Sequence, residues 1–233
     1  TVENGVGTDA DKYNVVLTLK DKVNYKWNNG NSEDITLACE ILKATNVFTA
    51  DPTISKETWT YGNTQATINA GESSFGEVVV KYTDGETEYE EMPTNAGSYK
   101  VIFTVSGTDN YDGLVKEIEF VIEHVVVSIP SATTVTYDGN EKVFARETVN
   151  YTVENGVGTD AGKYNLVLTL KDKVNYKWTN GNSEDITLAC EIVKATNAFT
   201  VEPTISKTNW TYGEESAVVT FDKANFGDVV VKY

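Results

Sequence analysis

The chain has 233 residues, of which 35 are acidic and 19 basic, giving a formal net charge of −16. Binding to nucleic acid or to anionic lipid requires clustered Lys and Arg, so this charge argues against both partners. With one His and two Cys, the sequence has few residues for a transition-metal site or a nucleophile–base pair, and we expect no enzyme activity. No apolar run approaches the about 18 residues of a membrane span, so no membrane insertion is predicted.

A long segment of the sequence occurs twice. TVENGVGTDADKYNVVLTLKDKVNYKW begins at Thr1, and TVENGVGTDAGKYNLVLTLKDKVNYKW begins at Thr152, 151 positions later. The correspondence continues to the end of the sequence, where Tyr233 aligns with Tyr82. Such self-similarity is the sequence signature of a repeat architecture.

A shorter repeat lies inside the long one. Ala-Gly-x-Tyr is followed by Asn-Tyr at a fixed distance, since Gly97 to Tyr111 and Gly162 to Tyr176 are both 14 positions. Two related modules of about 70–80 residues therefore alternate, each small enough to depend on a few large core side chains. We name them the YKW form, after the YKW sequence at 176–178, and the WTYG form, after the WTYG sequence at 59–62.

Four modules follow one another along the chain. They are the C-terminal part of a YKW-form module (1–45), a complete WTYG-form module (46–124), a complete YKW-form module (125–195) and the N-terminal part of a WTYG-form module (196–233). The linkers near 45 and 124 are short and lack Gly/Ser runs, which predicts semi-rigid connections. We expect the sequence to be a segment of a longer repetitive protein.

Each module has the hydrophobic pattern of antiparallel strands. Apolar side chains alternate with polar ones over 99–105, 117–123, 163–171 and 185–193, which is typical of strands with one buried face. Asp84-Gly85 predicts a hairpin between strands at 78–82 and 87–91. No stretch has a convincing helical period, so the predicted class is all-β.

Large apolar residues at matching module positions are predicted to form the cores. In the complete WTYG-form module they are Trp59, Tyr61, Tyr99, Phe103 and Phe120. In the complete YKW-form module they are Tyr164, Leu166, Leu168, Tyr176 and Trp178. Cys39 and Cys190 share the strand phase of Phe120, so we expect both thiols to be small buried side chains rather than disulfide partners.

The segments VTYDGNEKVF, TDAGKY, TNAGSY, NYKWTNG and WTYGEE resemble the YDG and MBG types of bacterial immunoglobulin-like repeat. These repeats recur in large secreted or wall-anchored surface proteins. The resemblance implies tandem immunoglobulin-like β-sandwich modules in a rod, an extracellular stalk or adhesin, and no catalytic residues. Asp11 departs from the Ala-Gly-x-Tyr pattern. A β-grasp is the alternative fold, but it needs a helix that the sequence does not predict.

Aromatic side chains provide one candidate ligand surface. Trp27, Trp178, Tyr111 and Tyr137 are candidates for stacking on a sugar, but core packing is the preferred interpretation because the tryptophans recur at fixed module positions. Acidic loops offer calcium ligands at Asp109, Asp112, Asn182, Glu184 and Asp185. Their spacing matches no known calcium loop, so solvated turns are the preferred interpretation and no cofactor is predicted. His124 is interpreted as a linker side chain.

The pattern as a whole favours a structural function. We expect a stalk or fibre segment of a bacterial cell-surface protein, in which each module contacts its neighbours in the same chain and lateral contacts with other copies are open. The acidic surface would keep copies apart. The alternative is an array that binds glycans or a host protein weakly and gains avidity by repetition.

Overall fold

A computed structural model describes Val2–Glu3 and residues 7–232 of the chain. These residues form strands, turns and bends without a helix, which confirms the all-β prediction. Within the described ranges there is accordingly no helix of the length and apolarity needed to cross a membrane. The chain divides into two compact units. Unit 1 comprises Thr1–Val126 with Val174–Lys177, and unit 2 comprises Val127–Lys173 with Trp178–Tyr233.

The first 13 strands belong to residues 2–127. They are β1 (Val2–Glu3), β2 (Lys12–Leu17), β3 (Ile35–Glu40), β4 (Phe48–Ala50), β5 (Thr53–Ile54), β6 (Thr58–Thr60), β7 (Ile68–Asn69), β8 (Glu72–Ser73), β9 (Val79–Thr83), β10 (Glu88–Tyr89), β11 (Gly97–Val105), β12 (Leu114–Glu123) and β13 (Val125–Val127).

The later strands are generally short, apart from two long ones. They are β14 (Thr134–Thr136), β15 (Lys142–Val143), β16 (Tyr151–Glu154), β17 (Val157–Gly158), β18 (Gly162–Leu170), β19 (Tyr176–Trp178), β20 (Ile186–Val193), β21 (Thr204–Ile205) and β22 (Val219–Thr220).

Unit 1 is built around a five-stranded sheet in the order β10-β9-β11-β12-β6. The long strands β11 and β12 pair antiparallel, with Tyr99 opposite Phe120 and Val101 opposite Ile118. In chain order β6 is the first strand of this sheet and β12 the last, and the two pair in parallel. A separate three-stranded sheet, β1-β2-β3, forms from the first 40 residues. Two small ladders, β4-β8 and β5-β7, complete the unit.

Phe120 lies at the centre of the unit 1 core. Its ring stacks on Trp59 at 5.3 Å between ring centroids and on Tyr99 at 5.5 Å, and the edge of Tyr82 meets it at 6.3 Å. Phe103 is fully buried beside them. Full burial of a large apolar side chain contributes about 1.5–3 kcal/mol, so these few rings stabilise a small module.

Unit 2 has a four-stranded sheet in the order β14-β20-β18-β16. Here too the first strand of the sheet in chain order, β14, is parallel to the last, β20, while β18 pairs antiparallel with both β16 and β20. Leu166, Leu168 and Trp178 are fully buried, as predicted. Alternation along β18 and β20 places the buried side chains on one face.

The tyrosines predicted as core residues are less buried than expected. Tyr61, Tyr99, Tyr164 and Tyr176 are only half-buried. Tyr99 and Tyr164 each direct a hydroxyl to a main-chain carbonyl four residues earlier, at 3.1 and 2.6 Å, so the polar end stays at the surface. A tyrosine packs its ring on the core while its hydroxyl remains near solvent.

The burial prediction is correct for Cys190 and wrong for Cys39, which is exposed. Thr133 covers Cys190, its main-chain N lying 3.4 Å from Sγ. Cys39 lies on β3, at the edge of the sheet β1-β2-β3, whereas Cys190 lies on β20, between β14 and β18. Identical strand sequences therefore bury their thiols to different extents because their neighbours differ.

The predicted Asp84-Gly85 hairpin is confirmed and carries a strongly bound carboxylate. β9 and β10 pair antiparallel around it, and Gly85 has a φ of 98°, which glycine adopts without strain. The Tyr89 hydroxyl donates to Asp84 at 2.6 Å, and the main-chain N–H groups of Thr87 and Glu86 donate at 2.8 and 3.0 Å. These hydrogen bonds, of which the one from Tyr89 has the largest effect, lower the pKa of Asp84 from 3.8 to about 2.

We expect Tyr89→Phe to raise the pKa of Asp84 towards 3.8, because it removes the largest cause of the shift. The folded pKa is depressed, so ionised Asp84 stabilises the hairpin above about pH 4, and this contribution is lost as the pH falls through about 2. Carbon-13 NMR titration of the carboxyl carbon measures the midpoint. Asp138, whose pKa is lowered by Lys142 in unit 2, is the internal control and should not move.

Candidate functional site

The two predicted sugar-binding tryptophans lie in different environments. Trp178 is 0% exposed, its indole N–H donates to the Glu184 carbonyl at 2.7 Å, and the Tyr151 ring lies 5.4 Å away between centroids. Its twin Trp27 makes the same bond to Glu33 at 2.6 Å but is only half-buried. Trp178 therefore offers no ring face for a sugar to stack on, and core packing accounts for its position.

The two predicted tyrosines also differ. Tyr111 in unit 1 is half-buried and stacks on Phe75, with ring centroids 3.6 Å apart. Tyr137 in unit 2 is 38% exposed and lines a surface cavity. A sugar contact through Trp27, Tyr111 or Tyr137 stays a prediction.

Two of the predicted calcium ligands, Asp185 and Asn182, have their side-chain oxygens engaged within the protein. Asp185 forms an ion pair with Lys173 at 2.8 Å, which lowers the pKa of its carboxyl. The side-chain oxygen of Asn182 accepts the Glu184 N–H at 3.2 Å, as in an Asx turn. Within the ranges that the structure describes, no three His, Cys, Asp or Glu side chains are grouped closely enough to hold a metal.

Asn110, which lies in the loop before β12, makes hydrogen bonds with residues far from it in the sequence. Its side-chain oxygen accepts the Ala10 N–H at 2.6 Å, and its side-chain amide donates to the Asp9 carboxylate at 2.9 Å. Its main-chain carbonyl accepts the Ala44 N–H at 2.8 Å. One asparagine thus ties the module at 46–124 to both ends of the β2–β3 hairpin of the preceding module.

Neighbouring groups hold this contact in place. Ala44 accepts the Asp112 N–H at 3.1 Å and forms an isolated parallel bridge with Tyr111. The Lys43 ammonium donates to the Thr108 carbonyl at 2.7 Å. The Thr108 hydroxyl accepts the N–H groups of Asn110 and Tyr111 at 3.3 and 3.1 Å, which fixes the loop that presents the asparagine.

Asn175, also within unit 1, makes the same set of contacts with a different module. Its side-chain oxygen accepts the Ala96 N–H at 2.8 Å, its side-chain amide donates to the Asn95 side chain at 3.2 Å, and its carbonyl accepts the Val125 N–H at 2.9 Å. Asn175 is only 4% exposed. The following residue, Tyr176, meets Tyr61 edge to face at 6.3 Å.

We call this arrangement the Asn-Tyr joint: an asparagine followed by tyrosine, received by an Asp/Asn-Ala pair and by a main-chain N–H just beyond the last strand of the receiving module. The asparagines and the alanine N–H groups that they accept from are buried or half-buried, and an amide left unpaired in such a place costs about 1–3 kcal/mol. Within unit 1, the Asn110 joint connects the loop before β12 to residues on either side of the β2–β3 hairpin. The groups of the joint are amides and, at Asp9, a carboxylate, and they connect two segments of the same polypeptide.

The Asn-Tyr joint was not predicted from the sequence, although the sequence contains a signal for it. The constant spacing between Ala-Gly-x-Tyr and Asn-Tyr was visible as a module feature. The spacing alone does not show that the Asn of one module contacts the Ala of the preceding module.

A scan of the chain against protein-family models found no match, and neither did a search of curated proteins.

Proposed function

We propose that the chain is a structural spacer, a stalk or fibre segment of a repetitive bacterial surface protein, in which immunoglobulin-like modules are fixed in series by Asn-Tyr joints. The observation that carries the proposal is the repetition of the joint. Asn110 and Asn175 make equivalent hydrogen bonds to different modules, and the residues they contact occupy equivalent positions in the long and short repeats.

The module architecture agrees with this proposal. An antiparallel sheet in which the first strand joins the last in parallel occurs in both forms, at β6–β12 and β14–β20. In repeat proteins, stability is a sum of module terms and nearest-neighbour interface terms. A joint with several hydrogen bonds provides such an interface term, and each added module then adds a fixed length.

The surface charge fits a spacer that stands among identical copies. The net charge of −16 makes neighbouring chains repel one another at low ionic strength. Screening beyond about 10 Å at 0.1 M salt restricts this repulsion to close approach. Extracellular display follows from the resemblance to surface-protein repeats and is part of the proposal.

The test is whether length grows in equal steps. Chains in which residues 46–196 occur once, twice and three times should show equal increments of maximum dimension in small-angle X-ray scattering. Flexibly linked modules grow with about the square root of their number, so their increments shrink. Asn175→Ala in every copy should produce shrinking increments, whereas Asn24→Ala should not. Shrinking increments in the unmodified series would contradict the spacer proposal.

A further inference from the structure

Unit 2 contains a cavity of about 610 Å³ whose walls match the receiving side of the Asn110 joint. Asp160, Ala161, Lys194 and Ala195 line it, and they lie 151 positions after Asp9, Ala10, Lys43 and Ala44. Those four residues in unit 1 bind the loop from Thr108 to Asp112.

The aromatic wall of the cavity is built in the same way as its counterpart. Asn197 binds Phe226 through two hydrogen bonds, of 2.7 Å to the carbonyl and 3.0 Å from the N–H. The equivalent bonds between Asn46 and Phe75 measure 2.8 and 3.1 Å. Phe75 stacks on Tyr111 in the joint of unit 1, so Phe226 presents the same ring position to the cavity of unit 2.

Tyr137, which also lines the cavity, corresponds to Tyr61 of unit 1. It follows the parallel strand β14, and its N–H donates to the carbonyl at the end of β20. Tyr61 has the same position after β6, where its N–H donates to Glu123, and its ring meets Tyr176 of the Asn175 joint. Tyr137 therefore occupies the place from which a receiving module contacts the incoming tyrosine.

Two residues at the cavity, Asn197 and Phe226, are more exposed than their counterparts in unit 1, as expected of a surface that a partner would bury. Asn46, which hydrogen-bonds to the Phe75 that stacks on Tyr111, is 3% exposed, whereas Asn197 is exposed. Phe75 is 46% exposed and Phe226 66%. Apolar and amide groups of this kind gain most from a partner that both buries the ring and completes the hydrogen bonds.

We propose that the unit 2 cavity is the receptor for an Asn-Tyr loop of the WTYG form, with the chemistry of Thr108–Asp112. The asparagine would donate to the Asp160 carboxylate and accept the N–H groups of Ala161 and Ala195, and the Lys194 ammonium would bind a loop carbonyl. The tyrosine would lie between Phe226 and Tyr137. The inference rests on the proposed spacer function for its purpose and on the 151-residue repeat for its geometry.

The experiment adds a second copy of residues 83–126 after Tyr233, which is in register because Tyr233 aligns with Tyr82. Amide hydrogen exchange at Ala161 and Ala195, followed by NMR, is compared in the extended and the original chain. We expect exchange to slow about tenfold or more, as expected for a net main-chain hydrogen bond. Asn110→Ala in the added copy should abolish the effect, and Asp109→Ala in the added copy, the matched control, should preserve it.

Equal exchange rates in the two chains would overturn the proposal, whether the added strands fold or remain unstructured, because the repeat equivalence predicts both folding and docking. Protection of Ala161 in the original chain that increases with protein concentration and disappears in Asn24→Ala would also overturn it. That result would assign the cavity to a second copy. Exchange reports on one cavity and scattering reports on length, so this inference and the spacer proposal can fail separately.

Discussion

Trp178→Ala is expected to lower the free energy of unfolding of unit 2 by about 3–5 kcal/mol, the range for removing a fully buried large aromatic side chain. The indole is 0% exposed, packs against Tyr151 and donates a hydrogen bond to Glu184, so the substitution leaves a cavity and an unpaired carbonyl together. Urea denaturation followed by circular dichroism, with amide exchange in β18 and β20, measures the loss.

Trp27→Ala is the matched control, because the two tryptophans share a local sequence and the same indole hydrogen bond. Trp27 is half-buried, so its removal should cost no more than about 2 kcal/mol. Equal losses for the two variants would show that burial of Trp178 does not determine the stability of unit 2. Because Trp178→Ala disturbs the fold, a substitution at Tyr111 or Tyr137 is the better probe of sugar binding.

Asn175→Ala is expected to destabilise unit 1 by about 1–3 kcal/mol, since the Ala96 N–H would lose its acceptor in a place that water hardly reaches. Asn175 is 4% exposed and makes its side-chain contacts with Asn95 and Ala96. Amide exchange at Ala96 should accelerate, and the thermal unfolding temperature should fall.

Asn24→Ala provides the comparison, because Asn24 is the twin of Asn175 at the same loop position. Its side-chain amide donates to Asp21 within its own exposed loop, at 2.7 Å. We expect a loss below about 1 kcal/mol, the usual size of an exposed hydrogen bond. If the two variants are equally stable, the bonds between modules contribute nothing beyond the local loop.

The period-two pattern was enough to predict the long strands. Leu166, Leu168, Phe103 and Phe120 occupy alternate positions of strands whose other face is mainly polar, and the structure buries all four. The Asp84-Gly85 hairpin followed from turn chemistry, because the positive φ of Gly85 is a local property. Local sequence determines such features, so they were accessible without coordinates.

Features that depend on distant neighbours were not predictable in this way. The parallel pairing of β6 with β12 joins segments about 60 residues apart, and neither strand carries a signal for its partner. Cys39 and Cys190 have the same flanking residues but opposite exposure. The joint combines both difficulties, since Asn110 and Asp9 lie 101 positions apart and both are polar residues in turns.

The central proposal is that an Asn-Tyr joint fixes one module to the preceding one, as Asn110 would do in unit 1. Nitrogen-15 relaxation of the unmodified chain tests it most directly, by comparing amides of β2 and β3 with amides of β11 and β12 in unit 1. The account predicts one rotational correlation time for both pairs of strands, and two different times in Asn110→Ala. Two different correlation times in the unmodified chain would contradict the account, because the joint would then not hold the modules together.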